Sequence, residues 1–262
     1  MVTSTTPRLS KNEKFYIVNG SVEVPRVTSQ LGVIAKPQLI PWACKLERAE
    51  ILQHCEELAA FNLEHGLTDM PAHTFRDGVK ARLGKPYAHT TFSGEAMSLG
   101  TETHNIVEWR MQQVLDPYYH LKVEEPVVSE RCVRAVESFE RWLKRHTVEP
   151  LEIELTLAET SNKDKRFWCA GTLDLLAKID GKITLLDWKT GSGLYWEYQL
   201  QNAIYRKMVD NHPDLPNTEQ GMLILLPKRS NIKFKELVLP LDYRKELACF
   251  RAAQLLHSNK GG

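Results

Sequence analysis

Two strand-forming runs joined by Asp180-Gly181 most restrict the folds open to this chain. Phe167 to Ile179 and Lys182 to Trp188 are rich in apolar and β-branched residues. An Asp-Gly pair between such runs supplies the positive φ that a type I′ hairpin turn needs at both central positions. Upstream, LEIELTLAE (151–159) alternates apolar and polar side chains, the period of a half-buried strand. Downstream, Glu197 to Val209 has helical spacing, and GMLILLP (221–227) is an unbroken apolar run suited to a buried central strand. KFKELVLP (233–240) predicts a more exposed strand, and Asp242 to His257 a closing helix capped by Asp242. Strands, a helix, then strands again predict an α/β core with a mixed central sheet flanked by helices.

The first 150 residues carry a different pattern. FYIVNGSVEVPRVTSQLG (15–32) sets β-branched runs around Asn19-Gly20 and predicts a short hairpin. PWACKLERAEILQHCEELAAFNLEHG (41–66) has helical spacing with Gly66 as its stop. The stretch 70–86 contains Gly78, Gly84 and the basic residues Lys80, Arg82 and Lys85, and predicts a loop or short helix with a solvated basic face. Ser98 to Val114 and Ser129 to His146 predict two more helices, the second amphipathic and bearing Arg131, Arg134, Arg141, Lys144 and Arg145. The expectation is one domain over 1–262: a lead-in and hairpin to 27, a mainly helical portion over 28–150, and an α/β core over 151–262.

A formal net charge of +1 means that any affinity for nucleic acid must come from a local basic surface. The cysteines, Cys44, Cys55, Cys132, Cys169 and Cys249, are scattered and form no CxxC pair, which argues against a zinc ribbon or disulfide framework and for a reducing compartment. No run of about 18 apolar residues occurs, so no membrane partner is expected. The Ser/Thr-rich start reads as a frayed terminus rather than a secretory signal. G-x-S-x-G and HExxH do not occur, and Gly78 to Lys85 has one residue too many for a Walker A loop. Serine hydrolase and zincin chemistry, and a nucleotide cofactor, are therefore not expected.

Asp187 and Lys189 are two apart on a predicted strand, so both point to one face about 7 Å apart. Asp174, on the partner strand of the hairpin, can face the same side. Two carboxylates offer the hard oxygen ligands that magnesium or manganese prefers, and a neighbouring ammonium can offset charge on a phosphate. Gly171, three residues before Asp174, would let another backbone or a nucleic acid approach closely. Gln201 and Tyr205 share one helical face. Trp109, Trp142, Trp168, Trp188, Tyr195 and Trp196 are candidate stacking surfaces for unpaired bases. Of these, Tyr195 and Trp196, in the loop after Lys189, are the best placed, and most of the others fit a core.

Taken in order, these residues resemble the PD-(D/E)XK nuclease superfamily, in particular its RecB-like branch. That branch runs G-x-x-x-H on a helix, a strand glutamate, G-x-x-D, D-x-K and Q-x-x-x-Y. This chain has Gly100 to His104, Glu152, Gly171 to Asp174, Asp187-Trp188-Lys189, and Gln201 to Tyr205. The segment VPRVTSQLGVIAKPQLIPWACK (24–45) is also similar to the lead-in of phage-encoded and mitochondrial genome-maintenance exonucleases, so the resemblance covers roughly residues 22 to 210.

The resemblance implies a restriction-endonuclease-like core with a helical N-terminal portion. It further implies Asp174, Asp187, His104 and the Trp188 backbone carbonyl as ligands of Mg²⁺ or Mn²⁺, with Lys189 as the catalytic lysine. Gln201, Tyr205, Tyr195 and Trp196 would contact DNA. Glu152 fits the family spacing best as the catalytic glutamate, with Glu154 and Glu159 left open. Relatives with an iron–sulfur cluster carry three cysteines near the C-terminus; Cys249 alone stands there, so no cluster is expected. The implied activity is a metal-dependent DNA exonuclease acting on single-stranded ends or recombination and repair intermediates. A structure-specific endonuclease and an inactive DNA-binding or assembly protein are the alternatives. A separate recombination or replication protein is a possible partner. The expected location is the cytoplasm of a bacterial or phage-infected cell, or else the mitochondrial matrix.

Overall fold

The computed structural model describes residues 8–9, 15–18, 21–34, 36–67, 70–83, 87–160 and 167–259. The Asn19-Gly20 turn, Gly84 and Lys85 lie outside them. Strands β1 (Arg8–Leu9), β2 (Phe15–Val18) and β3 (Val22–Pro25) form a small antiparallel sheet, followed by the short helix α1 (Val27–Leu31). Helices α2 (Leu39–Glu64), α3 (Ala72–Arg82), α4 (Ala88–Leu115) and α5 (Glu130–Leu143) come next. Strands β4 (Val148–Thr160), β5 (Phe167–Ile179) and β6 (Lys182–Lys189), helix α6 (Trp196–Asp210), strands β7 (Gln220–Leu225) and β8 (Lys235–Leu239), and helix α7 (Arg244–Ser258) complete the chain.

Residues group into two compact units, 35–98 and the remainder of the chain. Within 35–98, Trp42 meets Phe92 edge to face at 5.7 Å, and the Glu47 carboxylate accepts from the His89 backbone N–H at 3.2 Å near the start of α4. The stretch with the basic trio is thus largely the helix α3, and α4 begins ten residues before the Ser98 expected from sequence.

The other unit is built on a five-stranded sheet in the order β4-β5-β6-β7-β8, antiparallel except for the parallel pair β6–β7. This is the mixed central sheet expected from the sequence, and α6 is the crossover between its parallel strands. Asp180 and Gly181 take φ of 48° and 87°, so the Asp-Gly turn forms as its chemistry requires. Leu173, Leu176, Leu185, Leu200, Ile204 and Phe250 pack one face of the sheet against α6 and α7. Val107, Phe139, Trp142, Leu186, Trp188 and Ile224 pack the other face against α4 and α5. With both faces covered, β6 is buried without a break from Thr184 to Trp188, and every residue of that run except Thr184 and Asp187 is apolar.

The α5 helix packs its apolar side onto the sheet. Cys132, Ala135, Phe139 and Trp142 bury one side of it, and its arginines face outward, with Arg141 beside Glu137 at 3.6 Å. The α7 helix starts at Arg244 rather than at Asp242, whose carboxylate accepts from the Arg244 backbone N–H at 3.1 Å. The fully buried Arg206 on α6 donates to Thr218 Oγ1, Pro240 O and Leu241 O at 3.1, 2.7 and 3.0 Å, which ties α6 to the segment leading into α7.

Two paired strands change face at one shared rung. On β4, Ile153 faces the α4/α5 side while Leu155 and Leu157 face the α6/α7 side. On β5, Leu175 faces the α4/α5 side and Leu173 the α6/α7 side. Ile153 pairs with Leu175 and Leu155 with Leu173, so Glu154 lies opposite Asp174 at the point of change. Glu154 has φ of 52°, a left-handed conformation that costs a non-glycine residue on the order of 1 kcal/mol or more. Leu151 forms a bulge three residues earlier, between Pro150 and Glu152.

Candidate active site

The β5–β6 ladder ends at Leu175↔Leu186, and the next residue on each strand is an aspartate, Asp174 and Asp187. Beyond that rung the Trp188 N–H donates instead to Asp174 Oδ2, at 2.7 Å. That bond fixes one carboxylate at the mouth of the fork. On β6, Leu185, Asp187 and Lys189 alternate with Leu186 and Trp188, so the acid and the amine share the α6 side, as the period of two predicts. Lys189 Nζ lies 2.5 Å from Asp187 Oδ2 and donates to Gln201 Oε1 at 3.1 Å. Gln201 Nε2 in turn donates to the Tyr205 hydroxyl at 3.3 Å.

From α4, His104 reaches the fork with Nδ1 3.8 Å from Asp174 Oδ2. One ligand atom each from His104, Glu154 and Asp174 lie within 4.8 Å of one another. These residues, with Asp187, Lys189 and Glu108, line a cleft of about 570 Å³. Gly100, one turn before His104, sits where a Cβ would come 3.1 Å from Thr190 Oγ1, so its bareness lets α4 approach the loop after Lys189.

The electrostatics follow from crowding acids in partial burial. Burial, then the charges of Asp174, Glu108 and Asp187, push Glu154 up to about 8. Burial pushes Asp187 up to about 6, with Lys189 opposing and Asp174 adding. Burial also raises Glu108, against the pull of His104. Burial alone would lower Lys189, but Asp187 and Asp174 outweigh it and hold the ammonium above the ordinary lysine range. Asp187 Oδ2 is buried against the Lys189 ammonium. A set of four carboxylates, Glu108, Glu154, Asp174 and Asp187, facing one ammonium, with an imidazole alongside, fits a hard divalent cation.

Several expected roles fall differently. Glu154, not Glu152, lines the cleft, and Glu159 lies away from it, near Asn211 Nδ2 at 3.3 Å. The space at Gly171 is filled by the Tyr205 ring rather than left open to a nucleic acid: a Cβ there would lie 2.5 Å from Tyr205 Cε1. Gln201 and Tyr205 are nearly buried and hydrogen-bond toward Lys189. Trp109, Trp142 and Trp188 belong to the core, whereas Trp168, expected there too, is 42% exposed, and Trp196 is 48% exposed at the start of α6. The Tyr195 hydroxyl hydrogen-bonds with Ser192, and its ring meets Tyr198 at 5.7 Å. Sequence reasoning passed over Glu108 and Tyr198. Each had a signal: Glu108 is four residues after His104 and Tyr198 three before Gln201, spacings that share a helix face.

Among known protein families, the model of the PD-(D/E)XK nuclease superfamily matches residues 84–258, more than half of the chain. No curated protein gives a significant match.

Proposed function

This chain belongs to the PD-(D/E)XK nuclease superfamily of metal-dependent nucleases, and we propose that it is a DNA exonuclease acting on single-stranded ends or recombination and repair intermediates. The observation that carries the reading is the convergence of Asp174, Asp187 and Lys189 at the β5–β6 fork, with His104 and Glu154 facing them. His104, Glu154, Asp174 and Asp187, with the Trp188 carbonyl, would hold Mg²⁺ or Mn²⁺. Bound there, the ion would polarise the scissile phosphate and acidify a water ligand. Lys189 keeps its ammonium beside the fork, where it offsets negative charge gathering on the phosphate. Glu154 rather than Glu152 is assigned the role of the motif glutamate, because its carboxylate is the one in the cleft. Gln201 and Tyr205 act on this reading by steadying Lys189. Tyr195 and Trp196 remain the assigned DNA contacts, through the exposed indole. We place the activity in a bacterial or phage-infected cytoplasm.

The test is incubation with end-labelled linear and with circular DNA, single- and double-stranded, in Mg²⁺ or Mn²⁺. Linear DNA should be degraded and circles left intact, and EDTA should stop cleavage without unfolding the protein. Nicked or opened circles would make the enzyme an endonuclease. Asp187→Ala should abolish cleavage while preserving the circular-dichroism spectrum; metal-dependent cleavage by that variant would refute the site.

A further inference from the structure

Lys189 is approached from three directions, and one of them is an aromatic face outside the five motifs. Asp187 Oδ2 lies 2.5 Å from Nζ, Gln201 Oε1 accepts at 3.1 Å, and Nζ stands 4.7 Å from the centroid of the Tyr198 ring. Tyr198 precedes Gln201 by three residues on α6, so ring and amide occupy neighbouring positions on one helical face. The ring is braced in turn by Tyr195, edge to face at 66°. An aromatic face carries negative charge density and draws an ammonium without competing for its N–H donors. It can therefore set the direction of a flexible lysine while leaving a proton free for a phosphate oxygen.

We propose that Tyr198 is a positioning residue for Lys189, acting through its ring face and not its hydroxyl. The proposal rests on the reading of Lys189 as the catalytic lysine. Lysine carries four rotatable side-chain bonds, so a partly buried amine held only by a carboxylate and an amide would sample more than one orientation. A ring beneath it removes the alternatives. Leucine at 198 would fill much of the same space but carry no quadrupole, whereas phenylalanine would keep it.

The test compares Tyr198→Phe with Tyr198→Leu, each alone and in a Lys189→Ala background, using linear DNA with Mg²⁺. Tyr198→Phe should stay within about twofold of wild type, and Tyr198→Leu should lower kcat about tenfold with KM unchanged. In the Lys189→Ala background, Tyr198→Leu should cost nothing more. NMR of the metal-free protein gives a readout independent of activity. The Lys189 ε-methylene protons, assigned by their loss in Lys189→Arg, should be shifted upfield by the ring in wild type and Tyr198→Phe but not in Tyr198→Leu. Tyr198→Met serves in place of the leucine variant if that protein does not fold. Equal damage from Phe and Leu, no loss with Leu, or a further tenfold loss in the Lys189→Ala background would overturn the proposal. Absence of nuclease activity in wild type would instead sink the functional reading, and the NMR arm would still decide the ring–ammonium contact.

Discussion

Gly171→Ala is the substitution whose outcome the structure constrains most tightly. A Cβ at this position would lie 2.5, 2.6 and 2.9 Å from Cε1, the hydroxyl and Cζ of Tyr205. The ring cannot turn aside cheaply, because Tyr205 is 4% exposed and its hydroxyl accepts a hydrogen bond from Gln201. Overpacking a filled core by one methyl costs about 1–3 kcal/mol. For a chain of this length each kcal/mol lowers Tm by about 2–4 °C, so a fall of roughly 2–12 °C is expected. Any movement of the ring also reaches the fork, since Tyr205, Gln201 and Lys189 form one chain of contacts. Cleavage should therefore fall even at temperatures where the variant is fully folded. Thermal melts followed by circular dichroism measure the first effect. Adding Tyr205→Leu, which removes the clashing ring, should give a double variant more stable than the sum of the two single losses. A Tm within about 1 °C of wild type, or strict additivity, would refute the packing argument.

Three other outcomes follow from the charges and the core. A carboxyl held at about 8 is about nine-tenths protonated at pH 7, so binding of Mg²⁺ or Mn²⁺ should release close to one proton, mainly from Glu154. Calorimetry in buffers of different ionisation enthalpy would read this, with release fading above pH 9 and apparent affinity rising about tenfold per pH unit below 8; binding without proton release at pH 7 would contradict the assignment. Burial raises the Glu159 carboxyl, so its contribution to stability is full below the ordinary carboxylate value and is lost as pH rises through the raised one. Glu159→Gln should thus gain on wild type in Tm between pH 4 and pH 7.5, and a constant difference across that range would count against it. Arg206→Lys cannot reproduce three forked donations to Thr218, Pro240 and Leu241, and should destabilise by on the order of 3 kcal/mol in urea unfolding; a near-neutral change would show that the segment leading into α7 is held by other contacts.

Much of the framework was legible in residue order because it depends on contacts between near neighbours. The Asp180-Gly181 turn fixes which two runs pair, and the period of two along β6 puts Asp187 and Lys189 on one side. The i, i+4 spacing of Gln201 and Tyr205 likewise places both on one face of α6. These are consequences of backbone geometry, and no distant residue is needed to obtain them. The fold class was legible for the same reason, since strand and helix periods succeed one another with short connections.

Burial and facing at the site belong to the tertiary structure. Alternation along LEIELTLAE makes Glu152 and Glu154 equivalent; what separates them is the shared change of face at Glu154 and Asp174, together with the bulge at Leu151. Nothing in a local pattern announces such a change, because it arises from how two strands coil together between helical layers. Whether Gly171 meets a nucleic acid or the Tyr205 ring is likewise settled by which surfaces pack. Short-range periodicity determined the chemistry the chain could offer. Long-range packing decided which of those groups meet.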